Sequence, residues 1–454
     1  MSDRQSLELY SKFDENPQLC LDKLLTEASG NGDIDMVIDL LQKGADGNAA
    51  AYVRQHIFSG QYYQTPAIGA CLSGNAKLLR ILLENGADPN AGDTYSVTPL
   101  HYAAQNGHRD CLRLLIDYEA DINVATQYYN RPGSITRRFL GGTTALHLAA
   151  KNDHPDIIED LILQGGADYN KMNEVGKTCL NTASSWGKEE CVLKLFQCAL
   201  GRELLSLPAL DNGNTPLHDC IGFGMVKAVD ELVLRGSDVN ATNNDGLSPL
   251  HIAVKNCTTT CYEILECIVT KGINVDVNQP AALPPGSHGS GKCGLKALHL
   301  VTFCLNENSL ADAAFRRCPR QTAAAVLLVR YGADVNIWYN HRTLLQHEVL
   351  CAETEEVLEA IIRTSMYFDL SNCQVVAGLL WPGQAPRTSF CLRNVPRKIT
   401  DQRLQRLSKL NSKPRLLQHC CRFTIRKCIG PKRLNKIYTL GIPDTLKDYL
   451  LLKY

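Results

Sequence analysis

Apolar and polar positions along this chain recur as a phrase. Its clearest copy, TPLHYAAQNGHRDCLRLLIDYEADIN, spans residues 98–123. A polar cap and Pro-Leu-His lead into small residues at helical spacing. Gly107 interrupts, Leu114 and Leu115 give a second helix its apolar face, and a polar Asp-x-Asn segment closes the unit. The pattern predicts two short helices and a hairpin finger. Further copies begin at Thr65, Thr144, Thr178, Thr215, Ser248, Lys296 and Thr343, and a headless copy covers residues 26–48. The copies at Thr178 and Thr343 depart from the phrase, as TCLN and TLLQ.

Residue choices within the phrase have physical reasons. Thr98 suits a helix cap and Pro99 the first turn, where no amide bond is lost. Ala103 and Ala104 let neighbouring helices approach. Gly107 permits the turn between helices, and Gly86 can take the left-handed conformation that ends one. A single unit cannot bury its own apolar face, so units must stack. Starts at 65 and 98, and at 215 and 248, lie 33 residues apart. That period and phrase resemble the ankyrin repeat across roughly residues 24–370. The resemblance implies an all-α-dominated repeat solenoid of about nine repeats, curved, with fingers and first helices on its concave face. His101, His147, His218, His251 and His299 each take the fourth place of the phrase. In ankyrin repeats that histidine makes structural hydrogen bonds, so a ligand or catalytic role is not expected here.

Three intervals exceed the period: 98 to 144, 248 to 296 and 296 to 343. Extra length in a solenoid falls in loops on one face, often the binding face. The first insertion, QYYNRPGSITRRFLGG at 127–142, carries Tyr128, Tyr129, Arg131, Arg137, Arg138 and Phe139. Tyr and Arg favour interface hot spots. By position the segment extends a finger, which either contacts a protein cargo or folds its aromatics back on the stack. The second insertion, NQPAALPPGSHGSGKCG, reads as a Pro/Gly/Ser loop without phosphate-loop context. The third, around residues 306–320, lengthens the link between two helices of one repeat.

Charge divides the chain. Net charge is zero, with 47 basic and 47 acidic residues, yet residues 387–436 hold 15 Lys/Arg against Asp401 alone. An acidic body and a basic tail suggest two modules with different partners. The hydrophobic share of 44% and charged share of 21% fit a globular chain rather than a disordered one. The polar start has no signal-peptide pattern, and no apolar run reaches the ~18 residues of a membrane span. Nineteen cysteines without C-x-x-C pairs argue for reduced buried thiols and against zinc. The expected location is cytoplasmic, with the nucleus also open.

Residues 414–430 read PRLLQHCCRFTIRKCIG. Ser412 can cap a helix that Pro414 begins and Gly430-Pro431 ends. Leu417, Cys421 and Ile425 form one stripe along it. This stripe resembles the Elongin-binding helix of the SOCS box. Downstream, LGIPDTLKDYLLLKY resembles the cullin-binding end of that box: Leu440, Ile442 and Pro443 match, while Gly441 replaces the usual first proline. Repeats followed by such a box resemble the ankyrin-repeat and SOCS-box family over nearly the whole chain. The resemblance implies an N-terminal cap (1–23), a solenoid (24–372), a cap and basic linker (373–410) and a SOCS box (411–454). It further implies binding to Elongin C, Elongin B and cullin-5 with its RING partner, and a cargo held by the repeats.

Such a chain is an adaptor and not an enzyme, with no cofactor and no metal expected. No nucleophile elbow or phosphate loop is present. Arg393, Arg397, Lys398, Arg403, Arg406 and Lys409 could neutralise phosphates, but few aromatics interleave them, so a protein-facing or solvated surface is preferred over nucleic acid. A scaffold without productive cullin recruitment is the alternative that Gly441 keeps open. Asn240 and Asn336 resemble asparaginyl-hydroxylation sites, although a finger turn also calls for Asn there. Trp186 and Trp381 read as core or cap packing.

Overall fold

A computed structural model of the chain describes residues 17–53, 62–93, 95–127, 141–198, 201–256, 260–281, 296–302 and 319–334, with isolated positions beyond. It falls into two compact units, Met1–Asp211 and Asn212–Tyr454. The first holds five helix pairs: α1 (Pro17–Asn31) with α2 (Ile34–Gln42), α3 (Pro66–Ser73) with α4 (Ala76–Glu84), α5 (Pro99–Asn106) with α6 (Arg109–Asp117), α7 (Ala145–Asn152) with α8 (Pro155–Leu163), and α9 (Cys179–Ser185) with α10 (Glu189–Gln197). The described part of the second holds α11 (Pro216–Gly222) with α12 (Val226–Leu234), α13 (Pro249–Asn256) with α14 (Cys261–Lys271), and α15 (Ala297–Thr302) with α16 (Pro319–Arg330). Within each unit, first helices pack on first helices and second on second, giving two layers with the core between them. Leu78, Leu82, Leu112, Leu115 and Leu161 are fully buried in the first unit. Each such side chain contributes roughly 1.5–3 kcal/mol.

One detail differs from the sequence reading. The headless copy is a full helix pair, because α1 starts at Pro17 without any Thr-Pro-Leu-His. Its following finger is a β-hairpin, β1 (Ala51–Val53) antiparallel to β2 (Tyr62–Gln64), with Tyr52 opposite Tyr63. A second short pair joins β3 (Trp338–Tyr339) to β4 (Arg342–Thr343). The extra length after α15 lies between two helices that pack on each other, as the third insertion requires. A ninth pair at Thr343 falls outside the described residues.

The phrase encodes a chain of hydrogen bonds. His101 Nδ1 accepts the Thr98 N–H (3.1 Å), which closes the helix start, so Nε2 carries the proton and donates to Thr143 O of the next repeat (3.2 Å). His147 repeats this with Thr144 (3.3 Å) and Lys177 O (2.9 Å), and His218 with Thr215 (3.2 Å) and Leu247 O (3.1 Å). His251 Nδ1 accepts the Ser248 N–H (3.3 Å). The expected structural role of these histidines is therefore what the geometry displays. In the TCLN copy, Asn181 substitutes fully: Oδ1 accepts the Thr178 N–H (3.3 Å) and Nδ2 donates to Leu207 O (2.9 Å). The glycine of the turn is also explained. Gly107 sits at φ +81, and a Cβ there would lie 2.7 Å from the His154 ring, whose Nε2 donates to Gln105 O (3.1 Å).

The fingers carry a second chain of bonds. Asp121 Oδ1 accepts the Asn123 N–H (2.9 Å), and Asn123 Oδ1 accepts the Asp168 N–H of the following finger (2.8 Å). Asn48 to Asp88, Asn90 to Asp121, Asn240 to Asp276 and Asn278 to Asp334 make the same link. After α10 the chain has a 3-10 helix, Arg202–Ser206, and no Asp-x-Asn, so the run of links lapses there.

Burial lowers the pKa of His101, His147 and His218 from 6.5 to about 4. The folded state then binds fewer protons than the unfolded chain between those values. Stability is fully present above pH 6.5 and is lost as pH falls toward 4. Unfolding free energies from urea titrations should drop across that window, by ~1.4 kcal/mol per histidine per pH unit at most. Replacing all three by Asn, as position 181 already does, should flatten the dependence while the repeats stay folded at neutral pH. A second expectation concerns Ser237, which stands where other fingers carry Ala87, Ala120 and Ala167. Its hydroxyl is buried without a hydrogen-bond partner. Ser237→Ala should stabilise the protein by about 1 kcal/mol in urea unfolding.

Candidate functional site

Tyr128, Tyr129, Arg131, Arg137, Arg138 and Phe139 lie outside the described residues, but both ends of their segment are described. Thr126 N–H donates to Thr143 O (2.9 Å), Gly142 N–H to Thr126 O (2.8 Å), and Thr143 N–H to Thr126 Oγ1 (3.1 Å). These bonds join the two ends of the insertion in a stem. On one side Gln127 N–H reaches Tyr95 O (3.0 Å), and on the other Glu174 N–H reaches Gly141 O (3.0 Å). The stem is thus tied to the fingers before and after it.

A charge cluster joins the second helices of the two repeats that flank this insertion. Asp160 on α8 is buried, its side chain 2% exposed. It receives Arg109 Nε at 2.6 Å and Nη2 at 2.9 Å, and Arg113 Nε at 2.9 Å and Nη2 at 3.1 Å. Two forked guanidiniums satisfy one carboxylate, a bonding mode that Lys could not reproduce. The Arg109 guanidinium, aided by Arg113 and opposed by burial, holds the Asp160 carboxyl down to about 2. The sequence reading missed this clamp. Its signal was present as two Arg four residues apart on one helix, but their partner lies 47 residues beyond Arg113.

The C-terminal candidates Leu417, Cys421, Ile425, Leu440, Ile442 and Pro443 also lie outside the described residues. Nearby, Leu434, Ile437, Leu450 and Leu451 are buried, and Leu451 N–H donates to Lys447 O (2.9 Å). The sequence reading did not single out those four buried apolar positions.

Asn240 spends both polar ends on structure, Oδ1 on Asp276 N–H and Nδ2 on Asn274 O (2.9 Å). Asn336 and Trp381 are not described. Trp186 is 54% exposed at the end of α9 rather than in the core, with Lys151 Nζ 4.7 Å above its ring. Burial pushes Cys179, Cys191 and Cys267 up to about 12, which keeps them as thiols at neutral pH. Among the described residues no group of three His, Cys, Asp or Glu could hold a metal, and no helix is long and apolar enough to cross a membrane.

Comparison with known proteins finds three matches to the ankyrin-repeat model, at residues 24–126, 130–204 and 197–279. The SOCS-box model matches residues 413–451. The pair α15–α16 lies beyond the repeat matches. Among curated relatives, the B-cell lymphoma 3 protein homolog of Mus musculus is 30% identical over 42% of this chain and 41% of its own length. The transient receptor potential cation channel subfamily A member 1 of Homo sapiens is 27% identical over 48% of this chain and 19% of its own. The E3 ubiquitin-protein ligase KEG of Arabidopsis thaliana is 28% identical over 27% of this chain and 8% of its own. The chain thus spans less than half the length of each.

Asp160→Asn should lower the thermal midpoint more than Asp156→Asn. Asp156 lies 3.8 Å from Arg109 but is 66% exposed, so its loss strands no buried partner. Equal effects in differential scanning calorimetry would show that the clamp contributes no more than a surface ion pair.

Proposed function

The chain belongs to the ankyrin-repeat and SOCS-box family, and from that membership we propose that it is the substrate-recognition subunit of a cullin–RING ubiquitin ligase. The observation that carries the reading is the pairing of a repeat stack with a C-terminal box at residues 413–451. Such a chain is an adaptor: the chemistry of ubiquitin transfer belongs to its partners. Leu417, Cys421 and Ile425 would insert in a groove of Elongin C, with Elongin B alongside, as a helix-in-groove contact. Burying Leu417 there is worth roughly 1.5–3 kcal/mol. Leu440, Ile442 and Pro443 would engage cullin-5, and its RING partner would bring charged ubiquitin.

The repeats would hold the cargo and raise its effective concentration beside the transferring enzyme. The insertion with Tyr128, Tyr129, Arg131, Arg137, Arg138 and Phe139 is our candidate contact. Support comes from the stem at Thr126 and Thr143, which anchors the segment between two tied fingers.

A second reading, a binding scaffold without productive cullin recruitment, is favoured by Gly441 alone. One series of purifications separates the possibilities. The wild-type chain should co-purify Elongin B and C and bind cullin-5. Leu417→Ala with Cys421→Phe should lose Elongin. Retained Elongin would sink the ligase assignment, and Elongin without cullin-5 would favour the scaffold. Alanine at Tyr128, Tyr129, Arg137 and Arg138 should spare Elongin and reduce cargo capture.

A further inference from the structure

A surface of the first unit bears on the chemistry of the cargo. Two large apolar side chains are exposed on its fingers, Met172 at 50% and Leu210 at 74%. They lie on neighbouring fingers that are joined by Leu210 N–H to Val175 O (3.0 Å). Leu210 is seated rather than loose. A Cβ on Gly176, at φ +67, would lie 2.4 Å from Leu210 Cγ, so the leucine rests on bare backbone and is held toward solvent.

The finger that carries Met172 also carries two exposed carboxylates. Asp168 and Glu174 are exposed, and Asn170 N–H fixes Asp168 Oδ1 at 2.9 Å. The two lysines of these fingers are already engaged: Lys171 Nζ donates to Asn123 O (3.0 Å), and Lys177 pairs with Asp211 (3.0 Å). No salt bridge among the described residues uses Asp168 or Glu174. Residues 1–211 carry 18 Lys/Arg and 27 Asp/Glu, a net −9, so the local charge is reinforced by the unit around it.

We propose that this finger edge docks an extended cargo segment in which apolar residues are interleaved with Arg or Lys. The apolar side chains cover Met172 and Leu210, and the cations meet Asp168 and Glu174. The inference rests on the receptor reading only in naming the occupant as cargo. Preformed apolar knobs supply contact area at little ordering cost, while the carboxylates select the partner and speed its arrival. Nucleic acid and anionic membranes meet like charge at this edge. The rival occupant is the chain's own insertion, which carries three Arg and leaves the same edge at Gly141.

The test uses the purified full-length chain and fluorescence anisotropy. The probe is a fluorescein-labelled peptide of repeated Leu-Arg-Pro units, with Leu-Glu-Pro and Gly-Arg-Pro peptides as controls. The Arg peptide should bind, and both controls should bind at least about tenfold more weakly, ~1.4 kcal/mol. Met172→Asp with Leu210→Asp should cost a similar factor. Asp168→Lys with Glu174→Lys should weaken binding and flatten its salt dependence. Unchanged affinity in both double variants overturns the proposal. So does binding that emerges only when residues 128–140 are replaced by a Gly-Ser linker, since the insertion would then be the occupant. A chain that binds the peptide but fails to capture Elongin refutes the ligase reading and leaves this one standing.

Discussion

The helix pairs that begin with α5, α7, α9 and α11 each hand a hydrogen bond from the fourth residue of the phrase to a carbonyl further along the chain. A pair of eight- or nine-residue helices is too short to persist alone in water. The imidazole at the fourth place of the phrase meets that constraint by acting twice. Its Nδ1 closes the start of its own helix, and its Nε2 proton reaches a carbonyl of the next repeat, as in His101 to Thr143. The cap and the link between repeats share one side chain, so neither forms well without the other. That coupling requires the ring to be neutral and buried, which is why these histidines are poor candidates for chemistry.

Asparagine carries the same logic into the fingers. Within a finger, Asp holds the turn; between fingers, Asn123 holds Asp168 and Asn90 holds Asp121. A loop inserted into such a row does not sever it, because Thr126 and Thr143 pair directly across the insertion while Asn123 still reaches the next finger. The Arg109–Arg113–Asp160 clamp ties the same two repeats through their second helices. The two ends of the insertion therefore sit at a junction fastened on both layers. Rigid supports of this kind lower the ordering cost of any contact made there.

The division of labour along the chain follows from what each part can bury. The repeats expose an acidic, partly apolar finger edge in the first unit, whereas Leu434, Ile437, Leu450 and Leu451 of the matched C-terminal box are buried.

The amino-acid sequence by itself determined the repeat, its period, the structural role of the histidines and the identity of the C-terminal box. These are local: a cap, a turn and an apolar stripe are written within a few residues of one another. The tertiary structure decided what depends on distant partners. It placed Asp160 between Arg109 and Arg113, turned the headless copy into a full pair beginning at Pro17, and showed Asn181 doing the work of a histidine. It also left Trp186, Met172 and Leu210 at the surface, where composition alone would have buried them. The reason is common to all of these. The phrase specifies how a repeat is built, but a residue becomes core, clamp or binding surface only through what the neighbouring repeat sets against it.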